Sequence, residues 1–253
     1  MEPTNPSAPQ AFRSTPAESA EREPLLRTWP QQLDPRTVPI IGVDDSLPAV
    51  APDRLEPSAL RARFANPPIW QPEQLSDRFR THADAPRAAA VLVPIIAHPT
   101  PTVLLTQRAA QLRSHAGQVA FPGGRIEESD HGPAAAALRE AYEEVGLEPS
   151  RVELIGRLPE YLTGTGYRVT PVVGLIGSGF VPRPDPSEVA DVFEVPLDFL
   201  MNPRHHQRRF VQLEDRERRF FAMPYRPPAL DTDYFIWGAT AAMLRNLYRL
   251  LSA

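Results

Sequence analysis

The sequence predicts an α/β protein in which a mixed β-sheet packs between helices, preceded by a proline-rich N-terminal segment. Three observations support this prediction: apolar runs with the length of strands, one helix with clear start and stop signals, and an uneven distribution of proline. An order that combines mixed strands with two substantial helices is typical of an α/β sandwich around one core. With 253 residues, the chain is long enough for one large domain, or for one domain and a tail.

Prolines are concentrated at the N-terminus, where 14 of the 31 lie within the first 72 residues. Each proline removes a backbone donor and fixes one dihedral angle, which prevents regular helices and central strands. Residues 1 to about 50 are therefore expected to be mostly disordered. We predict a low-order extension over residues 1–70, with a short helix between Pro57 and Phe64, and a folded domain over residues 71–253.

Strands are predicted first in the apolar runs that follow the extension. Residues 88–97 (AAAVLVPIIA) are continuously apolar, which is typical of a strand covered on both faces. Residues 103–108 predict a second strand, and residues 117–121 a third that stops at Pro122-Gly123-Gly124. Later strands are predicted in VELIGRLPEY, in RVTPVVGLIG, and in a hairpin of residues 207–213 and 218–223 that turns at residues 214–217.

The strongest helix signal runs from Pro133 to Val145 (PAAAALREAYEEV). Proline is favoured in the first helical turn, alanine and glutamate are strong helix formers, and Gly146 follows where a left-handed cap is needed. A final helix is predicted from Trp237 to Leu250 because its leucines recur along one stripe.

Three carboxylates share one face of the Pro133–Val145 helix, at Glu140, Glu143 and Glu144. Their mutual repulsion destabilises a helix, and an i, i+4 pair between Arg139 and Glu143 offsets only part of that cost. A hard divalent cation with oxygen ligands would offset more, and the preceding Gly-Gly turn would let a backbone carbonyl approach it. The alternative is an acidic face that is simply solvated.

Residues 124–147 (GRIEESDHGPAAAALREAYEEVGL) resemble the Nudix box. The half from Arg139 to Gly146 matches each fixed residue type of that box, with Ala141 as a small apolar residue. The front half is one residue longer than usual and has Asp130 in place of glutamate. The resemblance implies a Nudix-type α/β/α sandwich that uses Mg²⁺ or Mn²⁺ to cleave nucleoside diphosphate derivatives with water.

The same resemblance implies roles for individual residues. Metal ligands would be the carboxylates of Glu140, Glu144 and Glu143 and the carbonyl of Gly124. The catalytic residues would be Glu140, Glu143 and Arg139. The general base stays open between Glu140 and Glu188.

Upstream, residues 104–124 (LLTQRAAQLRSHAGQVAFPGG) resemble the additional motif of the coenzyme A pyrophosphatase branch of this family. This resemblance implies hydrolysis of coenzyme A or its derivatives to adenosine 3′,5′-bisphosphate and 4′-phosphopantetheine or an acylated form. Arg108 and Arg113 are the candidate substrate-binding residues because guanidinium groups bind phosphate oxygens bidentately. Alternatively, these arginines pair with acidic loop residues such as Glu127.

Two other functions stay open from the sequence. One is hydrolysis of another diphosphate, such as ADP-ribose, NADH or a dinucleotide, and the other is a non-catalytic nucleotide-binding module. The intact set of Arg139, Glu140, Glu143 and Glu144 argues against the module.

Composition limits the partners. Without cysteine, disulfide scaffolds and thiol nucleophiles are excluded. The formal net charge of −4 gives no general attraction for nucleic acid. His205, His206, Arg208 and Arg209, together with the basic residues 216–219, are interpreted as a charged hairpin face. No export signal or membrane span is recognised, so we expect a cytoplasmic protein whose partner is a small nucleotide substrate. The oligomeric state stays open, with a homodimer as one option.

Overall fold

The computed structural model describes residues 33–73, 86–111, 116–213, 216–228 and 231–253. Within these ranges the chain forms four α-helices and twelve β-strands. The helices are α1 (Pro57–Ala65), α2 (Pro133–Val145), α3 (Leu197–Leu200) and α4 (Gly238–Ser252). The strands are β1 (Ile40–Val43), β2 (Arg87–Ala97), β3 (Thr102–Arg108), β4 (Val119–Ala120), β5 (Gly123–Arg125), β6 (Val152–Arg157), β7 (Tyr161–Leu162), β8 (Tyr167–Gly177), β9 (Val189–Pro196), β10 (Gln207–Leu213), β11 (Arg216–Tyr225) and β12 (Tyr234–Trp237).

Two sheets organise the described residues. In the larger, mixed sheet, β2 runs parallel to β8 and antiparallel to β3 and β5. Strands β4 and β9 pair with β3, while β6 and β7 pair with β8. The smaller sheet is antiparallel, in the order β1-β10-β11-β12.

Strand β2 is covered on both faces, as its continuous apolar run predicts. Ala90, Leu92 and Ile96 pack in one cluster with the alanines of α2. Val93 and Ile95 point the other way, into a cluster that includes α4 and the inner face of the smaller sheet. The larger sheet therefore lies between helices, which confirms the predicted α/β/α sandwich with a mixed sheet.

Helix α2 begins and ends where the sequence predicts. Gly146 adopts a left-handed conformation with φ 68° and donates its N–H to the carbonyl of Tyr142. The N–H of Leu147 then bonds to the carbonyl of Ala141, which completes the cap. Because α2 is held at this end and packed along its alanine face, its glutamates are fixed relative to the sheet.

Two strand predictions need correction. The third strand is confirmed as β4 and ends before Pro122, but Gly123-Gly124 is more than a turn, because it pairs with β2 as β5. A Cβ atom on Gly123 would overlap the backbone of Ala90 and Val91. Strand β9 was not recognised, although Val189, Phe193 and Val195 are buried with the period-two alternation of a half-covered strand. The hairpin of β10 and β11 is confirmed, and residues 214–215 of its predicted turn lie outside the described ranges.

The short helix predicted between Pro57 and Phe64 is confirmed as α1, but the prediction of low order is wrong for the rest of residues 33–70. Strand β1 pairs with β10, and Leu55 and Leu60 are buried in the main core. Arg61 also forms a bidentate ion pair with Glu153 on β6, at 2.7 Å for each contact. Proline excluded long regular elements here but did not prevent packing. Residues 1–32 lie outside the described ranges.

A buried polar network joins this N-terminal region to α4. The guanidinium of Arg245 lies 2.8 Å from Asp44 and 2.6 Å from Glu73, and its side chain is 2% exposed. It also contacts Nδ1 of His206 at 3.1 Å, while Nε2 of His206 lies 2.8 Å from the carbonyl of Leu200. An arginine can only donate, so Nδ1 accepts and Nε2–H donates. His206 is therefore a neutral, buried residue.

The interpretation of His205, His206, Arg208 and Arg209 as one charged face is accordingly wrong for two of its members. His206 is fully buried against Leu200 and Arg245, and Arg209 is 7% exposed because it donates to the carbonyls of Arg36 and Val38, just before β1. None of the helices in the described ranges has the length and apolarity that a membrane crossing requires.

Candidate active site

The three glutamates of α2 differ in their surroundings. The side chain of Glu144 is 2% exposed and that of Glu140 is 16% exposed, whereas that of Glu143 is 54% exposed. Glu140 and Glu144 therefore lie toward the sheet and the neighbouring loops, and Glu143 lies at the rim. A uniformly solvated acidic face does not describe this helix.

Glu144 is the most deeply buried of these carboxylates. Its Oε1 lies 3.4 Å from a terminal nitrogen of Arg108, and its Oε2 accepts a hydrogen bond from the Gly123 N–H at 3.2 Å. Burial raises the pKa of Glu144 to about 7, although Arg108 and the Gly123 N–H both act to lower it. Arg108 therefore pairs with a glutamate of α2 rather than with Glu127.

Glu140 lies directly against the backbone of Gly124. A Cβ atom at Gly124 would overlap the Glu140 carboxylate, so only glycine allows this approach. Burial raises the pKa of Glu140; Arg139 opposes that change, and Glu143 and Glu188 add to it. A carboxylate and a backbone segment thus meet at the place where the sequence predicts oxygen ligands.

Arg139 clamps the loop before α2 onto the helix. Its Nε and one terminal nitrogen donate to the two oxygens of Asp130, at 3.1 and 3.0 Å. The other terminal nitrogen contacts Glu140 at 3.1 Å and Glu143 at 3.0 Å, which confirms the predicted i, i+4 pair. The carbonyl of Arg125 accepts a further bond at 3.0 Å. With its donors engaged in this way, Arg139 is placed to orient Glu140.

Asp130 is the residue whose role sequence reasoning underestimated. Its side chain is 5% exposed, and the bidentate bond from Arg139, followed by the Glu127 N–H, lowers its pKa. In the sequence, Asp130 is an acidic loop residue nine positions before Arg139, and this spacing alone does not predict that the two residues pair.

A second loop brings Glu188 to the same region. The N–H of Arg183 bonds to the carbonyl of Val145, and the N–H of Asp185 bonds to the carbonyl of Glu144. The carbonyl of Glu188 accepts from the N–H of Ala109, just beyond β3. Glu188 is exposed and acts to raise the pKa of both Glu140 and Glu144, as a nearby like charge does.

Within the described ranges, no three histidine, aspartate or glutamate side chains already converge as a preformed metal site. Glu140 and Glu144 instead accept bonds from arginines and a backbone N–H. Burial raises the pKa of both carboxylates, so their charged forms are disfavoured unless further positive charge lies nearby. A divalent cation fits this chemistry, since hard cations prefer carboxylate and carbonyl oxygens. Arg113 lies outside the described residues.

Comparison with known proteins identifies a family domain in this part of the chain. A model of the NUDIX domain matches residues 86–225. A protein of Pectobacterium atrosepticum named Uncharacterized Nudix hydrolase NudL is 45% identical over 161 residues, which cover 64% of this chain and 81% of that protein. The protein of the same name from Escherichia coli K12 is 46% identical over 162 residues, with the same coverage of both chains.

Solved structures give a more distant likeness. A Caenorhabditis elegans Ap4A hydrolase in a binary complex has a TM-score of 0.38 at 18% identity and covers 44% of this chain and 80% of its own. RenU, a Nudix hydrolase of Mycobacterium smegmatis, has a TM-score of 0.39 at 25% identity and covers 51% and 80%.

Proposed function

This chain belongs to the Nudix family, and on that premise we propose that it hydrolyses the diphosphate bond of coenzyme A or a derivative. Nudix hydrolases act on nucleoside diphosphate derivatives and generally use divalent metal ions; this chain is a hydrolase of that kind. The proposal adds the substrate, the metal and the residues. Its products are adenosine 3′,5′-bisphosphate and 4′-phosphopantetheine or the acylated form.

One observation carries the catalytic part of the proposal: the Glu140 carboxylate lies against Gly124, and the buried Glu144 carboxylate accepts a bond from the Gly123 N–H, so two carboxylates meet at one glycine pair. Glu140, Glu144 and the Gly124 carbonyl would hold Mg²⁺ or Mn²⁺, with Glu143 joining from the rim. When bound, the cation supplies positive charge where the diphosphate oxygens carry negative charge.

The remaining residues orient the reactants. Arg139 donates directly to the Glu140 carboxylate and is itself held in place by Asp130 and Glu143. Proton acceptance from the attacking water falls to Glu140 or to the exposed Glu188, whose negative charge acts to raise the pKa of Glu140. Arg108 is half-buried against Glu144 and is placed to contact a diphosphate oxygen at the same position.

The substrate part rests on the motif of residues 104–124, whose described part surrounds this site. Its Arg108 contacts Glu144, and its Gly123 and Gly124 contact Glu144 and Glu140. A motif so closely joined to the catalytic carboxylates is well placed to select the substrate.

Glu144→Gln tests the site. The pKa of Glu144 is already raised, so a neutral side chain of equal size fits the fold, while metal-dependent kcat falls about a hundredfold or more. Glu148→Gln, on an exposed residue just beyond α2, is the matched control and keeps full activity. Undiminished turnover by Glu144→Gln, with an unchanged melting temperature, contradicts the assignment.

A substrate panel tests the specificity. Coenzyme A, acyl-coenzyme A, NADH, ADP-ribose and nucleoside triphosphates are compared by kcat/KM with Mg²⁺ and with Mn²⁺. The proposal requires the highest value for a coenzyme A compound. A higher kcat/KM for ADP-ribose or NADH contradicts the coenzyme A assignment and supports hydrolysis of another nucleoside diphosphate derivative.

A further inference from the structure

Tyr167 lies between two arginines at the start of β8. The guanidinium carbon of Arg87 is 4.3 Å from the centre of its ring, and that of Arg125 is 5.7 Å away. Nε of Arg125 also donates to the Tyr167 hydroxyl at 3.0 Å. The pairing register of β2 brings the three side chains together. Arg87 is opposite Tyr167 in the parallel pair of β2 and β8, and Arg125 is opposite Ala89, two residues further along β2.

The two arginines lack acidic partners among the described residues. Arg87 and Arg125 are both exposed, and in the described ranges neither has a carboxylate within 4.0 Å. Arg168, the next residue after Tyr167, is by contrast paired with Glu160. Since Arg125 uses only Nε–H for the tyrosine, its two terminal nitrogens keep donors for a ligand.

This cluster is rigidly connected to the catalytic residues. Arg125 directly follows Gly124, whose backbone contacts Glu140, and the Arg125 carbonyl accepts a bond from Arg139. Alternation along β5 turns the Arg125 side chain to the opposite face from Glu140. Arg125 is the last residue of β5, so a nucleotide that contacts both must carry its second charged group around this end of the strand.

We propose that Arg87, Arg125 and Tyr167 form a second anion-binding position, which takes the phosphate monoester of a nucleotide whose diphosphate lies at Glu140 and Glu144. The two guanidinium carbons lie within about 10 Å of each other, and one phosphate bridges them when these flexible side chains turn toward it. Without a ligand, both guanidinium groups rest against the Tyr167 ring by cation–π contact, which keeps the two positive charges close together. This position rests on the proposed function, and for coenzyme A the group bound is the 3′-phosphate.

The assignment separates two tasks among the arginines. Arg108 is committed to Glu144 and serves the diphosphate, whereas Arg87 and Arg125 read the additional phosphate. Loss of either member of the second pair affects only substrates that carry the monoester.

The test compares coenzyme A with its 3′-dephospho form as substrates of the full-length protein. Wild type has a kcat/KM for coenzyme A about tenfold or more above that for the dephospho form. Arg87→Ala and Arg125→Ala remove most of this preference through KM, and each leaves the dephospho form within about twofold. The control Arg168→Ala changes neither value. Equal losses on both substrates overturn the inference.

A binding measurement separates this inference from the proposed function. Calorimetry without metal compares adenosine 3′,5′-bisphosphate with adenosine 5′-monophosphate, whose only difference is the second phosphate. The bisphosphate binds about tenfold more tightly, and Arg125→Ala removes the difference. If wild type hydrolyses coenzyme A but binds both nucleotides equally, only the anion position is wrong. If wild type does not hydrolyse coenzyme A, the proposed function has failed, whatever the binding result.

Discussion

The buried histidine at the end of the N-terminal network predicts a specific loss of stability in weak acid. Burial lowers the pKa of His206 to about 4, whereas the pKa of a histidine in the unfolded chain is about 6.5. Below pH 6.5 the unfolded chain therefore binds a proton that the folded protein excludes, and stability falls until the pH reaches the folded pKa. The difference corresponds to about 3 kcal/mol in full, of which about 2 kcal/mol has been lost at pH 5.

Urea unfolding at pH 7.5 and pH 5.0 measures this effect. His206→Gln removes the titration and is expected to lose about 2 kcal/mol less than wild type between the two pH values. His205→Gln is the control, since that neighbour is more exposed and should change the slope less. The comparison of variants is needed because the raised pKa of Glu144 gives a slope of the opposite sign. Equal slopes for wild type and His206→Gln would falsify a neutral, buried His206.

Three further substitutions or deletions test other parts of the structure. Gly124→Ala should abolish turnover, measured as kcat, because the added Cβ overlaps the Glu140 carboxylate. Gly177→Ala is the control and keeps activity, because the space around Gly177 is open. A fully active Gly124→Ala protein contradicts the contact. Gly146→Ala should lower the free energy of unfolding by about 1–2 kcal/mol, measured in urea, because its φ is positive; an unchanged midpoint contradicts this cap. Deleting residues 1–70 removes Leu55 and Leu60 from the core and should lower the free energy of unfolding by several kcal/mol. Deleting residues 1–32 is the control, since it removes no described contact. Equal melting temperatures for the two deletions contradict the packing.

Helix α2 was predictable to the residue because its signals are local. Pro133, the alanine run and Gly146 act within one turn of their own positions, so no tertiary information was needed. The spacing of Glu140 and Glu144 likewise placed them on one face. Their unequal burial was not predictable, since it depends on β5 and on the loop at residues 183–188, which are distant in sequence.

The N-terminal region shows the opposite case. Proline content predicted the absence of long regular elements before residue 57, but not the contacts made over distances of well over a hundred residues. Two examples are the ion pair between Arg245 and Asp44 and the bond from Arg209 to the carbonyl of Val38, which no local sequence pattern predicts. Arg108 was expected to meet a phosphate or a loop carboxylate, and its contact with Glu144 depends on the packing of β3 against α2.

The end of α2 joins two functional segments in a way that matters for engineering. The Glu144 side chain faces the acidic region, while its own carbonyl holds the Asp185 N–H of the loop that carries Glu188. Exchange of that loop with one from a homologue would leave the helix terminus without the partners it has here. A chimera built at this junction should therefore transfer the helix terminus and residues 183–188 together, as one cassette.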